Sequence, residues 1–212
     1  MLTSSALPLW GQIQPHHVTP AVDSVLQANR EWLRQTLAMH TSFTWNSLVL
    51  PLNTASNRLE RVWSPVSHLN AVVNSDALRQ AYNANLPRLS DYHTELRQNA
   101  ALYAALCNIR ATDTTLNRAQ QKSLDDSLLG FKLSGVTLPE AHKARFRAIS
   151  QELAQLTSRF ADNVLDATNA WSKQISDVTK LAGLPESALA MAAQAARQRD
   201  LEGWVLTLQF PS

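Results

Sequence analysis

Apolar positions return every three or four residues along most of this chain, the spacing of one helical face after another. Thr19 followed by Pro20 predicts a helix start, a capping hydroxyl with proline at the first helical position. Val22, Leu26, Leu33 and Leu37 then share one face. A second helix is expected after Thr44, with Trp45, Leu48, Leu52, Ala55, Leu59 and Val62 inward and a kink at Pro51. Ser64 and Pro65 repeat the cap-then-proline signal and predict a short third segment through His68 and Leu69. Ser75 and Asp76 open a fourth, burying Leu78, Tyr82, Leu86, Leu89, His93 and Leu96. Pro87 makes this either one kinked helix or two pieces.

The most sustained pattern starts at Pro139. Phe146, Ile149, Leu153, Leu156, Phe160, Val164, Ala167 and Trp171 recur over many turns, giving a helix of about 30 residues and about 45 Å. Glu152, Arg159 and Asp162 fall off the stripe, toward solvent or a polar neighbour. So long a stripe needs a partner along its whole length, which predicts a mainly α fold of extended multi-helix packing. The pattern then changes. Lys173 to Ser176 reads as a short strand, about Pro185 to Arg199 as a helix, and Trp204 to Phe210 as a strand rich in β-branched and aromatic residues. Residues 1–171 are thus expected to form a helical region, and 172–212 a strand-helix-strand segment with a small β element.

Composition narrows the function classes. Apolar residues make up 45% of the 212 positions and charged residues only 17%, below the roughly 25% usual in soluble domains. Asn, Gln, Ser and Thr account for a polar surface short of charge, although a partly covered surface has the same signature. Nineteen basic against 17 acidic side chains give a net charge of +2. Arg145 with Arg147, and Arg197 with Arg199, are solvated pairs rather than a phosphate-tracking run, so nucleic acid is not an expected partner. A single Cys107 excludes an internal disulfide and fits a reducing compartment. Met1 to Trp10 has neither a basic start nor an apolar core of a secretory signal, and no apolar run approaches the ~20 residues of a membrane span. A cytoplasmic location is expected.

The residues carry no recognisable chemistry of their own. A hydrolytic zinc needs three protein ligands, two of them supplied by an H-E-x-x-H helix whose Glu takes the water proton. None of the six histidines precedes a Glu or has another His four residues away. Neighbouring His16 and His17 should point apart, His93 reads as a hydrogen-bonded core histidine, and His68 as structural. Ser134 before Gly135 lacks the rest of a nucleophile elbow, and five glycines form no phosphate loop. Cys107 reads as a buried thiol, and Asp125 and Asp126 as a solvated face on which consecutive carboxylates diverge. Trp10, Trp32, Trp45, Trp63, Trp171 and Trp204 read as packing anchors.

Several stretches, in order, resemble the thimet oligopeptidase family of zinc metallopeptidases, and its bacterial oligopeptidase A-like branch in particular. They are Leu7 and Pro8; Ile13 to Pro15; His17 to Ala21; Ser64 to Leu69; Tyr103; Asn117, Ala119 and Gln120; the run FKLSGVTLP from Phe131 to Pro139; NVLDAT from Asn163 to Thr168; GLPESALA from Gly183 to Ala190; Glu202 to Trp204; and Leu206 to Pro211. His16 stands where a Glu is usual. The resemblance covers nearly the whole chain but only the family's N-terminal region.

It implies a nearly all-helical enzyme with two lobes flanking a deep channel, in which this portion forms a wall that admits only short, unfolded peptides. Zinc and its general base belong to the C-terminal catalytic lobe. No catalytic, cofactor-binding or metal-ligating residue is therefore assigned here, and zinc is implied only for the full-length enzyme. Two readings stand: a non-catalytic N-terminal part whose C-terminal half is missing, or a free-standing helical interaction protein derived from the family. A strand ending at Pro211 and Ser212 with its edge open favours the first. That reading predicts an exposed apolar patch where the absent lobe would pack, through which the isolated chain could dimerise.

Overall fold

The structure, a computed structural model, describes residues 7–209. Seven α-helices and a two-stranded sheet are found among them, the mainly α fold with a small β element that the periodicity predicts. Met1 to Ala6, and Phe210 at the end of the expected last strand, lie outside the described residues. No helix among the described residues is long and apolar enough to cross a membrane. The chain divides into two compact units, Met1–Gln155 and Leu156–Ser212.

In the first unit, α1 runs from Pro15 to Met39. Its start is not at Thr19. Gln14 caps the helix, accepting from the His17 N–H, while His17 Nδ1 accepts from the Gln14 N–H at 3.2 Å. This reciprocal box, with Pro15 at the first position, sets the start earlier and leaves Pro20 inside the helix. The Thr19 hydroxyl instead accepts from Asn85 Nδ2 at 2.8 Å. Thr44 does cap the next helical turn, accepting from the Ser47 N–H. That turn, Trp45 to Val49, is a π-helical one that feeds α2, Leu50–Val72, with Pro51 in its first turn rather than at a kink in its interior.

Two further expectations are corrected. Pro65 does not open a new segment, because α2 passes through it with Pro65 itself buried beside Val62 and Val66. Apolar packing there outweighs the single backbone bond that proline removes. α3, Asp76–Arg97, is one helix through Pro87, the first of the two forms open for it, capped by Ser75. Its inward side includes Leu78 and Leu89 as expected, but the buried positions also include Tyr92 and Asn85, and His93 is exposed rather than in the core. α4 spans Ala100–Thr112 and α5 Arg118–Leu133.

Two apolar clusters hold this unit. One joins Val18, Val22, Val25 and Leu26 of α1 to Leu59, Val62 and Val66 of α2 and Leu78, Leu89 and Tyr92 of α3. The other joins Leu33, Leu48 and Val49 to Leu102, Leu106 and Ile109 of α4, Leu124 and Phe131 of α5, and Val136. Trp63 stacks on Tyr82 at 4.8 Å beside the first, and Trp32 and Trp45 pack on the second.

α6 spans Glu140–Ala170, 31 residues, so the long helix stands where the stripe placed it. Its C-terminal part belongs to the second unit, with β1 at Ser172–Ile175, α7 at Glu186–Arg197 and β2 at Trp204–Thr207. The strands pair antiparallel, Lys173 facing Leu206 and Gln174 facing Val205. Gly203 makes the entry to β2 possible. Its φ of +85° is left-handed, and a Cβ there would lie 2.4 Å from the Ile175 carbonyl oxygen. Leu181, Ala192, Ala196 and Val205 are this unit's buried apolar side chains among the described residues.

Candidate interaction surface

α6 has no buried residue at all. Ile149, Leu153, Leu156, Phe160, Val164 and, one residue past the helix, Trp171 are between 42% and 71% exposed. Steps of three and four residues keep them on one side of the helix. The side that is half-buried is largely polar and includes Ser150, Gln151, Ser158 and Asp162. Within the first unit the contact is explicit. Gln151 Nε2 donates to Asp91 Oδ1 on α3 at 2.6 Å, and Arg147 Nε lies 4.0 Å from the same oxygen. Within the first unit this helix therefore lays polar groups against α3 and leaves Ile149 and Leu153 open, the reverse of an ordinary amphipathic surface helix. Single exposed apolar residues are commonplace, but a continuous row marks a contact face.

A concavity of about 710 Å³ lies in the first unit between α1 and the α3–α4 corner. Leu33, Leu37 and Leu96 supply its apolar lining, and its charges are paired within the chain. Arg30 Nε donates to Glu95 Oε2 at 2.8 Å, and Arg34 binds Glu31 through two nitrogens. The Arg34 guanidinium, with Gln35, holds the Glu31 carboxyl below its usual range. Nothing in this arrangement is poised as an acid, base or nucleophile.

The other candidate residues fall in separate places. His16 and His17 do not point apart: their rings meet edge-on with centroids 4.1 Å apart, and His17 is occupied in capping α1. His68 lies edge-on to Trp10. Asp125 and Asp126 do diverge, Asp125 taking two bonds from Arg110 at 2.8 and 3.2 Å while Asp126 pairs with Lys122. The Arg110 guanidinium keeps the Asp125 carboxyl below its normal range. Cys107 is half-buried on α4. Among the described residues no three His, Cys, Asp or Glu side chains gather as a metal ion would require. The described residues do not fit a catalytic zinc.

Sequence periodicity identifies the stripe but not the polar line of Arg147 and Gln151 on Asp91. The only signal for that line is the i, i+4 spacing of two long polar side chains.

Comparison with known proteins places the chain in a family. The chain is 44% identical over 214 residues to oligopeptidase A of Escherichia coli, covering all of this chain and 32% of that protein. It is 44% identical to oligopeptidase A of Haemophilus influenzae, of which it covers 31%. It is 32% identical to the organellar oligopeptidase A of Arabidopsis thaliana, of which it covers 28%. It thus spans about a third of the length of the curated relatives it matches. The sequence profile described as Neurolysin/Thimet oligopeptidase, N-terminal domain, matches residues 22–143, and the chain belongs to that family.

Proposed function

We propose that this chain is the non-catalytic N-terminal part of an oligopeptidase A-like zinc metalloendopeptidase that degrades short peptides in the cytoplasm. The observation that carries this reading is the match of the whole chain to about a third of oligopeptidase A. In the assembled enzyme the ligands for a zinc ion would come from the remaining polypeptide, and the metal would supply the activation of water there, with no ligand from this chain. The α-helical elements here form one wall of the substrate channel. Their contribution is steric, restricting entry to short unfolded peptides, and it requires no titrating group from this chain. The open stripe of α6 supports the reading, because an apolar row of that length is what a missing lobe would cover.

The test is complementation. Escherichia coli oligopeptidase A lacking its matched segment is mixed or co-expressed with this chain, and cleavage of a short fluorogenic peptide is followed. Cleavage is expected only with both parts present, and its loss on chelation of zinc is expected with it. A chain that neither binds nor activates the truncated enzyme, while folded by circular dichroism, would overturn the reading in favour of a free-standing interaction protein.

A further inference from the structure

The geometry points to a site for the free C-terminal end of a short peptide, in the concavity between α1 and the α3–α4 corner. All of its lining residues belong to the first unit. Leu33, Leu37 and Leu96 give it an apolar lining. Around them the chain's own contacts use up acceptors and leave donors. Both Glu31 oxygens are occupied, Oε2 by Arg34 Nε at 3.0 Å, and Oε1 by Arg34 Nη2 at 2.7 Å and Gln35 Nε2 at 2.6 Å. Glu95 Oε2 accepts from Arg30 Nε at 2.8 Å. Asn99 Oδ1 accepts from the Leu102 N–H at 2.9 Å as the cap of α4, which leaves its Nδ2 uncommitted. Among the described residues no acceptor meets Arg30 Nη1 or Nη2, Arg34 Nη1 or Asn99 Nδ2. A ligand that fits must bring oxygen acceptors and an apolar group together.

Arg30 is the fixed point. Glu95 holds its Nε, and its guanidinium carbon lies 5.5 Å from the centre of the buried Tyr92 ring. With one edge and one face taken, Nη1 and Nη2 remain as a fork that matches the two oxygens of a carboxylate. Ordering a long side chain is part of the cost of binding, and here the fold has already met it. Arg34, one turn further along α1, adds a second cation on the same side. A small inorganic anion would use the guanidinium groups and leave the leucines wet. A carboxylate that follows an apolar side chain uses both. The lining along α1 runs from Gln27 to Leu37, about 15 Å at 1.5 Å per residue, which takes about four extended residues at ~3.3 Å each. The amides of Gln27 and Asn99 suit the carbonyl and N–H groups of such a segment. The site is complete within the first unit and does not rest on the enzymatic reading.

Fluorescence anisotropy tests this, with the full chain titrated into a tetrapeptide that ends in leucine and carries a fluorophore at its N-terminus. The free acid is expected to bind with a Kd of about 0.1 mM. The same peptide with an amidated C-terminus is expected to bind at least about 10-fold more weakly. Acetyl-leucine, a carboxylate and side chain without the preceding residues, is expected to compete at least about 10-fold less well than the unlabelled tetrapeptide. Arg30→Lys keeps the charge but loses the fork, and should weaken binding about 10-fold. Ala101→Glu, at an exposed position that lines the same concavity, brings in a repelling carboxylate and should do the same. Circular dichroism of both variants is expected to match the wild type. Arg110→Gln breaks a comparable ion pair, with Asp125, outside the lining, and should leave binding unchanged. Equal binding of acid and amide overturns the site, as does affinity that neither Arg30→Lys nor Ala101→Glu changes. Acetyl-leucine that competes as well as the tetrapeptide overturns the peptide as ligand. The complementation assay reads the enzymatic proposal separately. A chain that restores cleavage without binding the free acid refutes this site alone, and one that binds it without restoring cleavage refutes the enzymatic reading alone.

Discussion

At Gly203 a single hydrogen in place of a methyl group decides whether the second unit closes. The left-handed φ and the 2.4 Å approach to the Ile175 carbonyl oxygen leave no room for a side chain. Gly203→Ala is expected to cost about 1–3 kcal/mol, read as an earlier denaturation of the β1–β2 and α7 signals. Gly11→Ala, where nothing lies within 4 Å, is the neutral control. At Thr44 the hydroxyl accepts from the Ser47 N–H at 3.2 Å, and Thr44→Ala should lose about 1 kcal/mol of stability in chemical denaturation. Thr44 and Ser75 are legible as caps because a hydroxyl residue stands directly before an apolar-periodic run. Thr19 is not a cap although it has the same signature. A competing start at Gln14 and Pro15, and a buried Asn85 that takes the Thr19 oxygen, are local and long-range facts that the dipeptide does not contain.

Elements are legible to the extent that periodicity governs them. Prolines are the main source of misreading. Pro65 reads as a break and Pro87 as a kink or a break, yet each sits within a helix held on both sides by buried side chains, Val62 and Val66 in one case, Asn85 and Leu89 in the other. A proline removes one backbone bond, whereas the flanking turns bury several apolar groups. For α6 the periodicity gives the helix and its stripe but not what the stripe faces. Spacing says which side chains share a side, not what lies opposite them. The energetic consequence is specific to this helix. Leu153→Ser, at an exposed position, is expected to change the stability of dilute monomer by less than about 0.5 kcal/mol while raising solubility. Leu106→Ala in α4, where the side chain is buried in the second cluster, is expected to cost about 2–5 kcal/mol. Urea titrations of both variants separate a contact face from a core face.

Across the molecule the two units differ in how much they bury. The first contains two clusters of large aliphatic side chains from α1 to α5. The second has Leu181, Ala192, Ala196 and Val205 as its buried apolar side chains among the described residues, and a sheet of two strands. Small cores and isolated hairpins are marginal on their own. Local opening free energy rises with buried apolar contact, so amides of β1, β2 and α7 should exchange hydrogen well before those of α1 to α3. Native-state exchange read by mass spectrometry checks this, and equal protection of both units would show that they open together. Binding the remainder of an oligopeptidase, if it covers the α6 stripe, should slow exchange most in α6 and in the second unit, because a partner that binds only the folded form stabilises it by mass action. Protection that rises uniformly would place the contact elsewhere. Protection confined to α6 and the strands would place the contact on the stripe.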